Sequence, residues 1–526
     1  MALAFAVRLP ALVLPSMDWD EGLYLTMAAD LNAGQLPYTG LWDRKPIGIF
    51  VLFALVERVF QDGVLGVRIL ASLFAALAAF SLYRISILLF QPGGTIGMAA
   101  ATAYVLFSGE NSGLASNTEA FFVPLTTVGF YLGLRNTLRS GGPARPGAGL
   151  SELAAGLVLG VAFQIKYVVA FDLAALAVAL VILTGEDDRP GLERLRQSGL
   201  RAGALALGFA APTVAALALY AVTGDLEAFL EANVAANLGY LNRPFGSLTV
   251  PLFAAINYGP LCVGAGLALL FAGRLVRSRR EWRAVIVCVV WIAAVLIGLA
   301  MLRRWYEHYF IQLLPSLCLL TGFVVTRAIL DVARTRYQVR CAIGLLLAAG
   351  FFAANKDAFL AAGDLVLQRH ARGDRAAGDI PRIVARDLAG ELRSGDAVFV
   401  FDQDPVIYYL AKAAAPTRYP FPGHWIDGAG GMFNPLAELE QVLDRQPRFI
   451  VTRLDTFAPP ERKAATPAGE VDQIEHYQRL KKRLHAAISE SYDLADSYDP
   501  AEVWGGRVVG IKPWGANVYR RRIQQK

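Results

Sequence analysis

Ser151-Glu-Leu-Ala-Ala-Gly-Leu-Val-Leu-Gly-Val-Ala-Phe-Gln-Ile-Lys-Tyr-Val-Val-Ala-Phe-Asp-Leu-Ala-Ala-Leu-Ala-Val-Ala-Leu-Val-Ile-Leu-Thr184 decides how the chain folds. As one helix rising 1.5 Å per residue, this stretch would run about 51 Å, far more than a hydrocarbon core of roughly 30 Å. Both of its flanks are basic: Arg135, Arg139 and Arg145 precede it, and Arg189, Arg194, Arg196 and Arg201 follow. Excess Lys and Arg marks the cytoplasmic side of a membrane, so both ends belong on that side and the stretch is expected to cross twice, as a hairpin. Lys166 then sits near its outer turn.

The same reasoning extends along the chain. Further apolar blocks run through 2–16, 47–60, 64–90, 95–107, 118–134, 199–222, 250–273, 282–301, 308–327 and 340–355. Basic loops, including Arg274, Arg277, Arg279, Arg280 and Arg283 and then Arg327, Arg334, Arg336 and Arg340, alternate with acidic or neutral ones at 17–46, 108–117 and 223–249. If 47–60 is too short to cross, eleven crossings result, with the N-terminus inside and everything after 355 outside. The first block starts at Met1 without a basic leader, so a cleaved signal peptide is not expected. The composition agrees with this reading. Of 526 residues, 55% are hydrophobic and only 18% charged, where soluble chains carry about a quarter. Mean hydropathy is +0.42. The expected fold is thus a polytopic α-helical membrane protein with about eleven transmembrane helices. Cys262, Cys288, Cys318 and Cys341 all lie in apolar blocks, giving no disulfide framework or zinc site. Basic residues do not interleave with aromatics along a polar face, which argues against nucleic acid as a partner.

After residue 356 charges, Pro and Gly become frequent. Ala397-Val-Phe-Val-Phe401, Arg448-Phe-Ile-Val-Thr452 and Arg507-Val-Val-Gly-Ile511 read as strands, and 405–413 and 470–489 as helices. The chain therefore divides into a membrane domain, 1–355, and an extracytoplasmic α/β domain, 356–526. Gly428-Ala-Gly-Gly431 neither follows a strand nor opens a helix as a phosphate loop would, and reads as a turn. Gly141–Gly149 reads as a flexible cytoplasmic linker.

The first outer loop, 17–46, carries the chemistry. Asp18-Trp-Asp-Glu-Gly-Leu-Tyr-Leu-Thr-Met-Ala-Ala-Asp30 repeats Leu23, Met27 and Leu31 at helical spacing, as an amphipathic helix on the membrane surface would. Asp20 and Tyr24, four apart, share a face. Leu36-Pro-Tyr38 makes a turn, and Asp43-Arg-Lys-Pro46 precedes the next block. Residue by residue, a plainer reading competes. Asp18 serves as an N-cap, Asp20 and Glu21 offset the helix dipole, and Arg44 and Lys45 anchor the interface. What favours a site is company. Asn117 and Glu119 open one span, Arg303, Arg304, Glu307 and His308 crowd the outer ends of two more, and Arg243 lies in the third outer loop. Ionisable groups at span ends facing one compartment imply a shared polar cavity.

Asp20-Glu21-x-x-Tyr24, Leu-Pro-Tyr38 and Asp-Arg-Lys45-Pro46 resemble the first outer loop of GT-C membrane glycosyltransferases, in the protein-mannosyltransferase and aminoarabinose-transferase superfamily. Arg304-x-x-x-His308-Tyr309 before Leu314-Pro315 is similar to a late span of that family, and Asp396-Ala-Val-Phe-Val with Pro405-x-Ile-Tyr408 to its outer domain. Two departures stand out: Pro46-Ile47 replaces a frequent Pro-Pro, and Leu23 stands where aminoarabinose transferases carry Arg. The resemblance implies a polyprenyl-phosphate sugar donor and an inverting transfer to an extracytoplasmic glycan, lipid or protein acceptor, at the plasma (inner) membrane. It makes Asp20 the base, with Glu21 and Glu119 orienting it or the acceptor. Lys45, Arg243 and Arg304 become phosphate ligands, and Tyr24, Tyr38, His308 and Tyr309 substrate contacts. No metal or cofactor is expected. The outer domain, lacking a catalytic cluster, is expected to guide the acceptor or cap the cavity, so deleting 375–526 should reduce transfer but leave donor binding largely intact. The rival from another class, a transporter or flippase, predicts polar groups and helix breaks at mid-span and repeated halves. Here charges gather at one face and no repeat is visible.

Overall fold

The computed structural model describes residues 1–15, 17–139, 149–183, 191–241, 246–303, 305–332, 359–360, 362–363, 366–367, 379–458, 468–499 and 515–522. The expected span 340–355, the strand Arg507–Ile511, almost all of the linker 141–149 and the candidate ligands Arg243 and Arg304 lie outside these residues.

The first 332 residues form a helical bundle. Its helices are α1 (Ala2–Val13), α2 (Trp19–Asn32), α3 (Ile47–Val59), α4 (Gly63–Leu89), α5 (Gly93–Phe107), α6 (Glu119–Arg139), α7 (Leu150–Phe163), α8 (Val169–Leu183) and α9 (Gly191–Thr223). Then come α10 (Leu226–Leu230), a π-turn (Glu231–Ala235), α11 (Ala236–Leu241), α12 (Thr249–Asn257), α13 (Gly259–Leu270), α14 (Ala272–Leu275) and α15 (Arg279–Met301). A 3-10 segment (Glu307–Leu313) leads into α16 (Leu314–Val332). Side-chain caps fix several starts: Asp62 accepts from Leu65 N at 3.1 Å, and Ser278 from Glu281 N at 3.2 Å.

Among the described residues four helices are long and apolar enough to cross a membrane: Gly63–Leu89, Gly199–Thr223, Arg279–Met301 and Glu307–Ala328. The pair α12 and α13, bent by 80°, has the length and composition of a broken span or a re-entrant loop. The apolar helices α1, α5, α7 and α8 are shorter, so the described residues do not supply eleven helices of spanning length. The stretch 151–184 is a hairpin, α7 and α8 joined by a turn that carries Lys166. Small residues let α7 lie close against α9. A Cβ on Gly156 would meet the Leu205 carbonyl oxygen, and one on Gly208 that of Leu153, well inside van der Waals contact.

The C-terminal unit is α17 (Ile380–Ala389), β1 (Val398–Val400), α18 (Val406–Ala411), α19 (His424–Gly431), α20 (Pro435–Asp444), β2 (Phe449–Arg453), α21 (Ala468–Ser491), β3 (Tyr492–Tyr498) and β4 (Ala516–Arg521). Its sheet runs β1-β2-β4-β3. β1 and β2 are parallel, with Val398 opposite Phe449, and the other two pairs are antiparallel. Phe399, Phe401, Trp425 and Ile450 pack with Leu480 and Leu484 of α21 on one face of the sheet. Val398, Val400 and Val451 pack with Val384 and Leu388 of α17 on the other. The first two strands and both helices match the expected segments within a few residues. β3 and β4 were not foreseen, because Tyr492-Asp-Leu-Ala-Asp-Ser-Tyr498 is an edge strand with little buried surface.

One expectation is corrected. α2 is not a half-exposed surface helix. Every residue from Glu21 to Ala28 is buried, with α3 packed on one side and α18 of the C-terminal unit on the other. Thr26 donates to the Pro405 carbonyl at 3.1 Å, and Gly22 lies directly against Asp404 and Val406. The leucine and methionine stripe marks one packing face; the second arises from a unit nearly 400 residues away.

Candidate active site

Asp18 is the N-cap of α2, accepting from the Asp20 backbone N–H at 2.9 Å, so the capping reading of that residue holds. The cap places Asp20 in the first turn with its side chain toward the loop that follows α2. Tyr24, one turn on, donates its hydroxyl to Asp20 Oδ2 at 3.0 Å, and Lys45 Nζ lies 3.3 Å from the same oxygen. Lys45 also sits 5.2 Å from the centre of the Tyr24 ring. Both charged side chains keep some exposure, 14% for Asp20 and 17% for Lys45, whereas Tyr24 is wholly buried beneath them.

The Lys45 loop is held from several directions. Tyr38 donates to the Lys45 carbonyl at 2.6 Å, from a backbone at φ 73, a left-handed conformation rare for an aromatic residue. Asn237 donates to the Arg44 carbonyl at 3.1 Å. Asn233, in the π-turn, accepts from Tyr167 at 2.5 Å, and its Oδ1 lies 3.4 Å from the Tyr38 hydroxyl; such turns recur at functional sites. Asp43 pairs with His424 of α19 at 3.3 Å, with both side chains buried.

These contacts set the charges. Burial works to raise the Asp43 carboxyl, but Lys45, the His424 bond and Arg44 outweigh it and hold Asp43 well below the usual carboxylate range. Burial likewise opposes ionisation of Asp20, and Lys45, His308 and the Tyr24 hydrogen bond together outweigh it, leaving Asp20 below its ordinary value. Burial disfavours the Lys45 ammonium, yet Asp20, Tyr24 and Asp43 hold its proton far more tightly than usual. The site at rest is an ionised Asp20 against a fixed cation.

A second ion pair stands beside the first. Glu119, the first residue of α6, pairs with Lys166 of the α7–α8 turn and accepts from Thr118 at 2.9 Å. Lys166 Nζ lies 3.7 Å from the centre of the Tyr309 ring, and His308 packs edge-on against Tyr309. Asn117 bridges the two groups by donating to Asp18 Oδ2 at 3.0 Å. Gly48 N donates to the Gln164 carbonyl at 2.7 Å, docking the start of α3 on the same hairpin turn. The fold thus gathers Asp20, Tyr24, Lys45, Glu119, His308 and Tyr309 at one face of the bundle, with Tyr38 behind them.

Glu21 is not part of that gathering. Its neighbour position on α2 turns it by about 100°, into the bundle. There it pairs with Arg68 of α4 at 2.7 Å and accepts from Ser116 N at 3.2 Å. The same guanidinium donates to the carbonyls of Ala11, Leu14 and Pro15. Glu21 therefore ties α1, α2, α4 and the start of α6 together. Arg68 was legible as one of two charges, with Arg84, inside the apolar block 64–90. Asp43 with His424, and Asn233 with Tyr167, had no local signal, since each contact joins segments distant in sequence.

A family model described as dolichyl-phosphate-mannose-protein mannosyltransferase matches residues 44–215, about a third of the chain. No curated protein sequence matches. Among solved structures, ArnT from Cupriavidus metallidurans bound to undecaprenyl phosphate is similar at 14% identity and TM-score 0.61, over 99% of this chain and 97% of that one. The same protein in the apo state gives 16% identity and TM-score 0.57, over 87% and 92%. The apo oligosaccharyltransferase of Archaeoglobus fulgidus gives 12% identity and TM-score 0.50, over 95% and 73%. The chain has the GT-C fold of membrane glycosyltransferases.

Proposed function

We propose that this chain transfers a sugar from a polyprenyl-phosphate-linked donor to an acceptor hydroxyl on the extracytoplasmic face, inverting the anomeric carbon. The observation that carries this reading is the partly exposed Asp20 carboxylate shared by Tyr24 and Lys45, with the Lys166–Glu119 pair alongside. The similarity to a protein that binds undecaprenyl phosphate supports the donor class.

The chemistry follows from the charges. The donor phosphate draws Lys45 toward its oxygens. Asp20 then loses its strongest neutralising neighbour, and its basicity rises just as the acceptor arrives. The acceptor oxygen attacks the anomeric carbon from the face opposite the phosphate and gives its proton to Asp20. The carbon–oxygen bond to phosphate breaks, and the lipid phosphate departs with its charge held by Lys45 and Lys166. Glu119 keeps Lys166 charged and placed. Arg243 and Arg304 are further candidates as phosphate ligands. His308 and Tyr309 line the same end, near Lys166.

The membrane domain, 1–355, would then be the catalytic body in an inner membrane. The C-terminal unit would cover the reacting loop from outside, where lipopolysaccharide, cell-wall glycan, lipid and protein acceptors are all within reach. Transfer from purified undecaprenyl-phosphate-linked sugars to an acceptor extract, in detergent, tests the reading. A glycosylated product that requires the lipid-linked donor supports it. Failure to bind undecaprenyl phosphate at all would overturn it.

A further inference from the structure

A cavity of about 270 Å³ lies where the start of α2 meets the C-terminal unit. Trp19 forms one wall, and Asp402, Arg453, Asp455, Tyr477 and Lys481 form much of the rest. Three features of the fold converge on it.

First, β1 and β2 are parallel, and the polar residues follow directly from their carboxyl ends. Asp402 lies two residues beyond β1; Arg453 ends β2, and Asp455 lies two residues beyond it. In open sheets with parallel strands, ligands bind outside the carboxyl ends. Second, Asp402 is held at φ 57, a conformation that costs energy for a residue other than glycine. There its carboxylate accepts from Thr456 at 3.2 Å and lies 3.6 Å from Lys481 Nζ. Third, the lining balances two carboxylates with two cations between two aromatic rings. Arg453 bonds Asp455 at 2.9 and 2.5 Å, Lys481 Nζ lies 4.8 Å from the centre of the Tyr477 ring, and Tyr477 stacks on Phe401.

This lining suits neither an anion nor a cation, since each charge already has its opposite beside it. It suits a neutral ring bearing many hydroxyls. Hydroxyls can donate to the carboxylates and accept from the cations, while the apolar C–H face lies on an aromatic wall. The volume falls just below the roughly 300–1,000 Å³ of pockets for drug-sized molecules, so it fits one ring. Trp19 opens α2 one residue before the proposed base, so the first turn of α2 carries a wall of the cavity and Asp20 on neighbouring faces. We infer that this seam is a sugar-binding subsite that holds a pyranose ring of the acceptor. The inference rests on the transfer reading for its role, but the affinity for sugar does not.

The test uses the full-length chain in a zwitterionic detergent without a sugar headgroup. Methyl glucoside, galactoside, mannoside and N-acetylglucosaminide are titrated by saturation-transfer NMR, and undecaprenyl phosphate binding is measured separately. At least one glycoside should bind with a millimolar Kd. Asp455→Ala and Tyr477→Leu should each weaken it about tenfold or more, as expected for losing a charged hydrogen bond or a ring face, and leave lipid-phosphate binding unchanged. Asp455 is largely exposed, so its variant keeps the test valid if Tyr477→Leu fails to fold. No glycoside binding to the unaltered chain, equal binding by a folded Asp455→Ala variant, or displacement of the glycoside by inorganic phosphate would each overturn the subsite. Loss of undecaprenyl phosphate binding by the unaltered chain would instead overturn the donor assignment, leaving the sugar result to stand on its own.

Discussion

As the proposed base Asp20 acts only as a carboxylate, and both of its partners, Lys45 and the Tyr24 hydroxyl, favour that charged state. Asp20→Asn keeps the size and most hydrogen bonds and removes the base, so turnover should fall about 100- to 10,000-fold with lipid-phosphate affinity little changed. Near-normal turnover in a well-folded variant would return Asp20 to the plainer role of offsetting the helix dipole. Acidity gives a second check. A base is active when deprotonated, and the free site holds Asp20 below its ordinary value. The acid limb of kcat/KM should therefore lie below the ordinary range of an aspartate carboxyl. The limb of kcat, which reports the complex with Lys45 on phosphate, should lie higher. Coincident limbs would contradict the transfer of Lys45 from carboxylate to phosphate. Glu21 sits one residue away and should behave quite differently. Removing a partner from a buried ion pair costs about 3–5 kcal/mol, so Arg68→Met should lower thermal stability sharply. Glu21→Gln combined with Arg68→Met should recover part of that loss. A catalytic role for Glu21 would appear as lost turnover in variants of unchanged stability.

At the scale of elements, packing without side chains sets how closely helices meet. Gly156 on α7 faces the α9 backbone with no room for a methyl group. Gly156→Val should push the two helices apart and cost about 1–3 kcal/mol or more, read as a lower unfolding temperature. On the same α9, Gly203 faces open space, and Gly203→Ala should be neutral or mildly stabilising through helix propensity. Equal effects of the two changes would mean that α7 and α9 do not touch there. The hairpin itself was readable from length and flanking charge. Its turn was not readable as part of the site, because Lys166 meets Glu119 across 47 residues of sequence.

For the whole molecule, the C-terminal unit holds the Lys45 loop directly. His424 grips Asp43, two residues before Lys45. Arg418 donates to the Tyr38 carbonyl at 2.7 Å and accepts from Trp42 N through its own carbonyl at 2.7 Å. Deleting 375–526 should therefore weaken undecaprenyl phosphate binding as well as transfer, where the sequence alone suggested donor binding would survive. Intact lipid-phosphate affinity in a folded truncated chain would restore the simpler division of labour. Orientation is tested by fusion. A reporter active only outside the cytoplasm should work when fused after residue 360 and stay silent near 145 or 280. The reverse pattern would place the reacting loop on the wrong side of the membrane.

What the sequence determined by itself was whatever rests on local physics. Apolar length requires helices in a membrane, because lipid offers no partner to an exposed peptide group. Alternating basic loops predict that the polar loops share one side. The spacing of Asp20 and Tyr24 puts both on one helical face, and the structure bonds them. The cap at Asp18 and the first two strands of the C-terminal sheet were legible in the same way. Tertiary structure alone decided the rest. It turned Glu21 inward to Arg68, brought Lys166 to Glu119, buried α2 on both sides, and set Trp19 against residues more than 380 positions away. Each of these is a pairing between segments that carry no mutual signal in one sequence. Which of two adjacent carboxylates meets Lys45 at a partly exposed face and which is buried against Arg68 depends on the partner that packing delivers, not on the residue type.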